Sequence, residues 1–425
     1  MISLVISAPI NTYSGYGARA RDVVKALIKT GKYDINVLSQ RWGNTRSGYL
    51  RDHNEDELTS LVIPQLSFKP DVWIQISVPN EFQAVGKYNI GMTAGIETTL
   101  CDGSWIEGLN RMDLNLVSSE HAKNVFLGTK LDAFDSKTKQ KIKELKVEKP
   151  VEVLFEGIDV QKYLTVNKQS DLFKSISTIK EEFCFLSVGH WMQGDFGEDR
   201  KNIGYTIKTF LETYKNGAFK SKKIPALILK THSVGTSIMD RDKILAKIDQ
   251  IRSTVTGTLP NIYLLHGEVT DDEMADLYNH PKVKAYVSHT KGEGFGRPLL
   301  EFAATGKPVI ASGWSGQVDF LNREDSILLG GTLQKVHPSA VLKNMITQEA
   351  LWFRPNDSDV SKAYKQVTKH YKKTQEGAKR QAHKIKNNFT FDKMVELLDK
   401  TLDNNLPEFP KEIKLTLPKL ELPKL

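Results

Sequence analysis

The chain has 425 residues and a mass of 47.9 kDa, past the size at which a single hydrophobic core stops growing, so two domains are expected. Its apolar fraction of 40% and charged fraction of 26% exclude a disordered chain, and no apolar run approaches the roughly 20 residues that cross a bilayer. The net charge is +8, and the two cysteines, Cys101 and Cys184, stand in no metal-binding or redox spacing, which predicts a reducing, cytoplasmic setting.

The opening MISLVISAPI has no basic region ahead of its apolar stretch and predicts a first strand rather than a secretory leader. Ile2 to Ala8 is continuously apolar, as in a strand buried on both faces of a parallel sheet. A loop with Gly15 and Gly17 follows, then a helix with Ala20, Val23, Val24, Leu27 and Ile28 on one face, stopped by Gly31. Strands are expected at Ile35–Leu38, Val72–Ile76 and Leu114–Val117, the last leading through Ser118-Ser119-Glu120 into a helix. This rhythm of strand, turn and helix belongs to a doubly wound α/β sheet. Lys130 to Lys149 is lysine-rich and reads as a surface insertion.

Val151 to Phe155 is apolar again and ends in Glu156-Gly157-Ile158-Asp159. The rhythm restarts with strands at Phe183–Val188, Ala226–Leu229, Ile262–Leu265 and Ala285–Val287, which predicts a second sheet and a boundary near residue 170. The expected organisation is therefore 1–170, 171–385, a helix over 386–404 that returns to the first half, and a tail over 405–425. Between Ser361 and Asn388 nine basic residues face one acid, Glu376, so this segment carries a surplus equal to the whole chain's. It reads either as a solvated helix face or as a patch for a phosphate-rich partner. The tail holds Pro407, Pro410, Pro418 and Pro423 and repeats Leu-Pro-Lys-Leu at Leu417 and Leu422. Prolines forbid a continuous helix, so the segment 406–425 is either disordered or an extended peptide docked on this chain or on a partner protein.

The most informative segment runs from Ser288 to Leu321. A strand ends near Ser288, and Gly292-Glu293-Gly294-Phe295-Gly296 forms a glycine-rich turn. Pro298 then occupies a helix start, where its missing N–H would have had no partner, and Gly306 closes the helix. Val309 to Ala311 is a further strand, ending in a second small-residue turn that includes Ser315 and Gly316. Backbone amides of Gly294, Phe295, Gly296, Ser315 and Gly316 can then approach a diphosphate, with the helix dipole favouring the anion. Glu293 and Glu301 would repel phosphate but accept hydrogen bonds from sugar hydroxyls. Donors for a diphosphate flanked by acceptors for sugars match the chemistry of a nucleotide sugar.

Glu293 and Glu301, separated by seven residues in Glu-Gly-Phe-Gly-Arg-Pro-Leu-Leu-Glu, resemble the signature of the large retaining glycosyltransferase family 4 (group 1) of GT-B fold, which includes sucrose synthases and many bacterial hexosyl- and mannosyltransferases. Phe185 to Gly189 with Arg200-Lys201-Asn202, and His266-Gly267-Glu268-Val269 with Leu277-Tyr278, extend the likeness, which is looser to phage-encoded members. The resemblance implies two Rossmann-like domains across a cleft, the first binding the acceptor and the second a UDP- or GDP-sugar. It further implies that Glu293 binds the donor sugar, Glu301 the ribose, and Arg200 and Lys201 the diphosphate, while the loop of Gly15 and Gly17 lies over the donor. No other cofactor and no metal are implied, since cations and amides would neutralise the diphosphate. His190 and Trp191 stand after Gly189 where members often carry arginine, and Glu97 stands where many have histidine. Glu97 either orients or deprotonates an acceptor hydroxyl, or caps a turn. His121 and His289 read as structural. The acceptor is either a hydroxymethylated base in DNA or a lipid-linked or surface glycan, and a non-catalytic partner-binding module on the same fold is the alternative of another class.

Overall fold

The computed structural model of the chain describes residues 1–135, 137–138, 140–217, 224–233 and 235–410. Strands β1 (Ile2–Ala8), β2 (Tyr33–Ser39), β3 (Val62–Ile63), β4 (Val72–Ile76), β5 (Tyr88–Thr93) and β6 (Leu114–Val117) belong to the first sheet. The Lys130–Lys149 segment departs from it as an antiparallel hairpin of β7 (Leu131–Phe134) and β8 (Lys141–Leu145), and β9 (Val151–Val153) rejoins it. The order is β3-β2-β1-β4-β5-β6-β9, with every neighbouring pair parallel. Alternation along β1 explains its unbroken apolar run: Leu4, Ile6 and Ala8 face one core while Val5 faces the core on the other side.

The second sheet holds β10 (Cys184–Val188), β11 (Ala226–Lys230), β12 (Ile262–Leu265), β13 (Val283–Ser288), β14 (Val309–Ser312) and β15 (Ile327–Leu329). Its order, β12-β11-β10-β13-β14-β15, is again wholly parallel. Cys184 and Leu186 join one core and Phe185 the opposite one. Two parallel sheets, each covered on both faces, make this the GT-B arrangement of paired Rossmann-like domains.

Three features differ from the sequence expectation or were absent from it. Ile158, Val160 and Tyr163, expected in the first half, pack in the core of the second sheet, so the chain changes partner before residue 170. Pro298 is the second residue of the helix Arg297–Ala303 rather than its first, a position whose N–H is equally without an intrahelical acceptor. A hairpin of β16 (Gly331–Lys335) and β17 (Leu351–Pro355), absent from the sequence expectation, follows β15. It ties the halves together: the Thr99 amide donates to the Leu351 carbonyl at 2.9 Å, and the Phe353 amide to that of Lys291 at 2.9 Å.

The last described helix, Phe391–Asn405, returns to the first sheet because its apolar residues recur every four positions. Met394, Leu398 and Leu402 are fully buried in that sheet's core, a burial of about 2 kcal/mol each. The Leu-Pro-Lys-Leu repeats lie outside the described residues.

Candidate active site

The glycine turns after β13 and β14 face the loop that leaves β5. A Cβ on Gly292 would run into the Glu97 carbonyl oxygen, one on Gly294 into that of Ala94, and one on Gly316 into that of Gly294. Three backbone segments from two sheets thus interlock where only hydrogen fits, and the halves meet at Glu293.

Glu293 is 6% exposed and sits between two cations. Lys201 Nζ lies 2.6 and 2.7 Å from its two carboxylate oxygens. An Arg200 terminal nitrogen lies 3.3 Å from Oε2, donates to the Gly292 carbonyl at 3.0 Å, and stands 3.5 Å from Glu97 across the seam. Burial pushes the Glu293 carboxyl up, but Lys201 and Arg200 outweigh it and hold it below the usual range. Burial wins for Lys201, whose ammonium is held below its ordinary value despite Glu293. Burial also opposes the Arg200 charge, yet Glu97 and Glu293 together raise it above the ordinary value. Both cations are presented by a tight approach to the helix Ile203–Tyr214: Asn202 adopts a left-handed φ of 55°, and Asp199 accepts from the Ile203 amide at 3.1 Å. The Lys201 stem runs past Gly189, its Cδ 3.3 Å from where a Cβ would stand.

Glu301, 7% exposed, has a different shell. Its Oε1 accepts from the Tyr163 hydroxyl at 2.8 Å and from Arg297 Nε at 2.9 Å, and its Oε2 from the Tyr278 hydroxyl at 3.1 Å. Arg297 also pairs with Asp22 of the first half. Burial raises the Glu301 carboxyl, and Arg297 opposes without cancelling. Among the described residues Oε2 has a single donor and so keeps spare acceptor capacity. Sequence reasoning gave no site role to Tyr163, Tyr278, Arg297 or Asp22. Only Arg297, one helical turn before Glu301, carried a local signal.

Other expected residues divide. Gly15 is exposed at the first position of the helix Gly15–Thr30. The Gly17 amide donates to the Ser14 side chain at 2.9 Å, and a Cβ there would strike Thr12, so Gly17 serves the helix start. The Gly316 amide, expected in the anion site, donates to the Glu293 carbonyl at 2.9 Å, and Ser315 Oγ accepts from the Glu293 amide at 2.9 Å. Ser315 and Gly316 therefore brace the Glu293 turn. Phe295 is in the core against Phe320. His289 meets Thr206 at 3.0 Å, and burial takes it down to about 3. His121 packs edge-on against Trp314, brought down to about 4 by burial.

From Tyr371 onward the basic segment lies away from this seam. Tyr371 packs on Phe183 just ahead of β10, Lys379 lies by Gly306 ahead of β14, and Arg380 and Lys384 pair with Asp325 ahead of β15. From Tyr371 to Lys384 it therefore borders the amino ends of the strands whose carboxyl ends carry the glycine turns. Among the described residues no group of three or more metal-ligating side chains is placed to share an ion, and no helix is long and apolar enough to cross a membrane.

No protein-family model matches the chain, and no curated protein matches it. Solved structures do. It is similar to Anabaena HepE in complex with UDP and glucose, at a TM-score of 0.63 and 11% identity over 95% of this chain and 100% of that one. A glycosyltransferase from Rickettsia africae matches at 0.62 and 12%, covering 95% and 98% of the two chains. Sucrose-phosphate synthase from Thermosynechococcus elongatus matches at 0.61 and 10%, covering 95% and 99%. At such identities the likeness is one of fold.

Proposed function

We propose that the protein is a retaining glycosyltransferase that moves a sugar from a nucleotide-sugar donor to an acceptor hydroxyl. The observation that carries this reading is Glu293, buried between Lys201 and Arg200 where the carboxyl-end turns of one sheet meet the loop of the other. HepE, similar in fold, was crystallised with UDP-glucose, which supports a nucleoside-diphosphate sugar as co-substrate. In this reading Lys201 and Arg200 hold the diphosphate, and Glu293 accepts from hydroxyls of the sugar. Glu301, through Oε2, accepts from the ribose.

The anomeric carbon–oxygen bond to phosphate breaks as the bond to the acceptor oxygen forms on the same face. The acceptor proton passes to the departing phosphate oxygen, whose growing charge the two cations stabilise in a site closed to water. Retention follows from attack on the face that the diphosphate leaves. Glu97, facing Arg200 at 3.5 Å, orients the acceptor side of the seam. The place of residues 371–384 of the basic segment, away from the seam, favours a glycan acceptor over a base in DNA.

The test is nucleoside diphosphate release from a panel of UDP-, GDP-, ADP- and dTDP-sugars, with the anomeric configuration of any product read by NMR. Release from at least one donor, with retention, is expected. A folded protein that releases none overturns the enzyme reading in favour of a binding module, and an inverted product overturns the mechanism.

A further inference from the structure

Residues 190–199 stand between Gly189, just after β10, and Arg200, and the transferase reading gives them no task. The loop is folded back on itself, since a Cβ on Gly194 would strike the Asp199 amide. Trp191 joins the core on one face of the second sheet, its amide donating to the His232 carbonyl at 2.9 Å. Phe196 is 53% exposed and lies against Gly204 of the helix Ile203–Tyr214, with ring carbons 3.3 Å from where a Cβ would stand. Between this loop, that helix and the helix Ile238–Ser253 opens a cavity of about 370 Å³. None of Glu97, Arg200, Lys201, Glu293 and Glu301 lines it.

The apolar walls of this cavity are the rings of Trp191 and Phe196 and the side chain of Ile251. Two cations line it, Lys208 and Lys247, whose Nζ atoms lie 5.5 Å from the centre of the Phe196 ring and 5.0 Å from that of Trp191. Neither ammonium has a carboxylate within 4.0 Å among the described residues. The one carboxylate of the lining, Asp195, keeps 73% of its side-chain surface exposed and lies 3.9 Å from His337. A cation over the face of an exposed ring gains little, so both ammonium groups remain open to an anion. Flat rings on the walls suit a planar apolar body, and apolar walls with a few convergent charges are the usual make-up of a small-molecule site. The volume stands near the low end of such sites and suits one ring carrying one anionic group.

The loop runs on into the pair of cations at Glu293. Glu198 lies 3.3 Å from Nζ of Lys291, two residues before Glu293, and the Arg200 carbonyl accepts from the Lys291 amide at 2.8 Å. A ligand that shifts the loop therefore bears on Arg200, Lys201 and the Glu293 turn together. We propose that this cavity is an effector site for a small aromatic anion and that its occupation is transmitted to Arg200 and Lys201. The proposal goes beyond the transferase reading, and its test needs no donor, so the two fail separately.

The isotope-labelled full chain is titrated with phenyl phosphate and with benzoate, whose comparison tells which anionic group the site prefers, and with inorganic phosphate and benzyl alcohol. The indole NMR resonance of Trp191 and the backbone amide resonances of Arg200 and Lys201 are followed. At least one aromatic anion should move all three along one saturation curve, with inorganic phosphate and benzyl alcohol binding at least about tenfold more weakly. Lys247→Ala should weaken that binding roughly tenfold and Phe196→Ala several-fold, and both positions are exposed enough to leave the fold intact. No Trp191 shift with either aromatic anion overturns the proposal, as does binding that survives Lys247→Ala. Binding lost instead in Lys201→Ala would place the anion at the seam, and equal affinity for benzyl alcohol would leave a pocket with no need of charge; each result overturns it. A Trp191 shift that leaves the amides of Arg200 and Lys201 unmoved overturns the transmission.

Discussion

Glu293 and Glu301 stand on one turn and one helix, are almost equally buried, and are handled in opposite ways. Glu293 is neutralised by two cations whose side chains keep 15% (Arg200) and 16% (Lys201) of their surface exposed, so its partners can be shared with an incoming anion. Glu301 is gripped by two tyrosine hydroxyls and by Arg297, itself tied to Asp22 in the other half. The first shell suits chemistry and the second suits architecture. The opposite directions of their carboxyl shifts express that difference, since full charges outweigh burial at one site and fail to at the other.

The largest effect expected from breaking this contrast is at Glu293. Glu293→Gln keeps the shape but removes the charge between Lys201 and Arg200, and the sugar loses its charged acceptor. Turnover should fall by about three orders of magnitude, close to 4 kcal/mol. Two buried cations would be left undercompensated, so denaturant unfolding should also show a loss of about 3 kcal/mol. A nucleoside diphosphate should recover part of that loss, because its phosphates supply the missing charge. Wild-type turnover in this variant would place the chemistry elsewhere.

Glu301→Ala should invert the pattern. Both tyrosine hydroxyls and Arg297 Nε lose a buried acceptor, and the protein should lose about 3 kcal/mol of stability. Turnover at saturating donor should fall by no more than roughly tenfold, while the donor KM rises through the lost ribose contact. A collapse of turnover with unchanged stability would show that the two carboxylates had been assigned the wrong way round.

Much of this contrast was legible in the sequence, because its first half is local. The two-sheet rhythm, the glycine turn, the proline at the helix start and the spacing of the two acids all lie within short windows. The shell of Glu301 was not legible, since Tyr163 arrives from 138 residues away and its hydroxyl is aimed by core packing. Nor could sequence tell which amides are free: Gly316 looks like a phosphate ligand until the structure shows the Glu293 carbonyl receiving its N–H group. The β16–β17 hairpin escaped because Gly331–Lys335 is mostly polar and exposed and its partner strand begins only after fifteen intervening residues. The charge of the basic segment was plain, but which end of the sheet it borders depends on how its helix packs through Ala378, Gln381, Ala382 and Ile385.

The pH dependence of stability sharpens the comparison with smaller effects. Glu293 is depressed in the fold, so its contribution is complete above the unfolded carboxylate pKa and is lost as pH falls through that value toward the folded one. Glu301 is raised, so its charge opposes folding at neutral pH, and that opposition is relieved as pH falls through the folded value toward the unfolded one. Wild type minus Glu293→Gln should therefore shrink on acidification, whereas wild type minus Glu301→Gln should grow. Denaturant melts between neutrality and the carboxylate range read both differences, and parallel slopes would mean that the two acids share one environment.

The smallest effect tests how much of Glu301 remains for a ligand. Among the described residues Oε1 has two donors and Oε2 only Tyr278, so Tyr278→Phe removes one hydrogen bond and leaves Oε2 open. The cost should be about 1 kcal/mol, because a lost neutral hydroxyl leaves a carboxylate oxygen that a ribose hydroxyl can still satisfy. Donor KM should then stay within a few-fold of wild type, and turnover should be unaltered. A large loss of donor affinity would show instead that the Tyr278 hydroxyl itself meets the nucleotide. Glu301 would then act as its positioning residue, on the architectural side of the contrast.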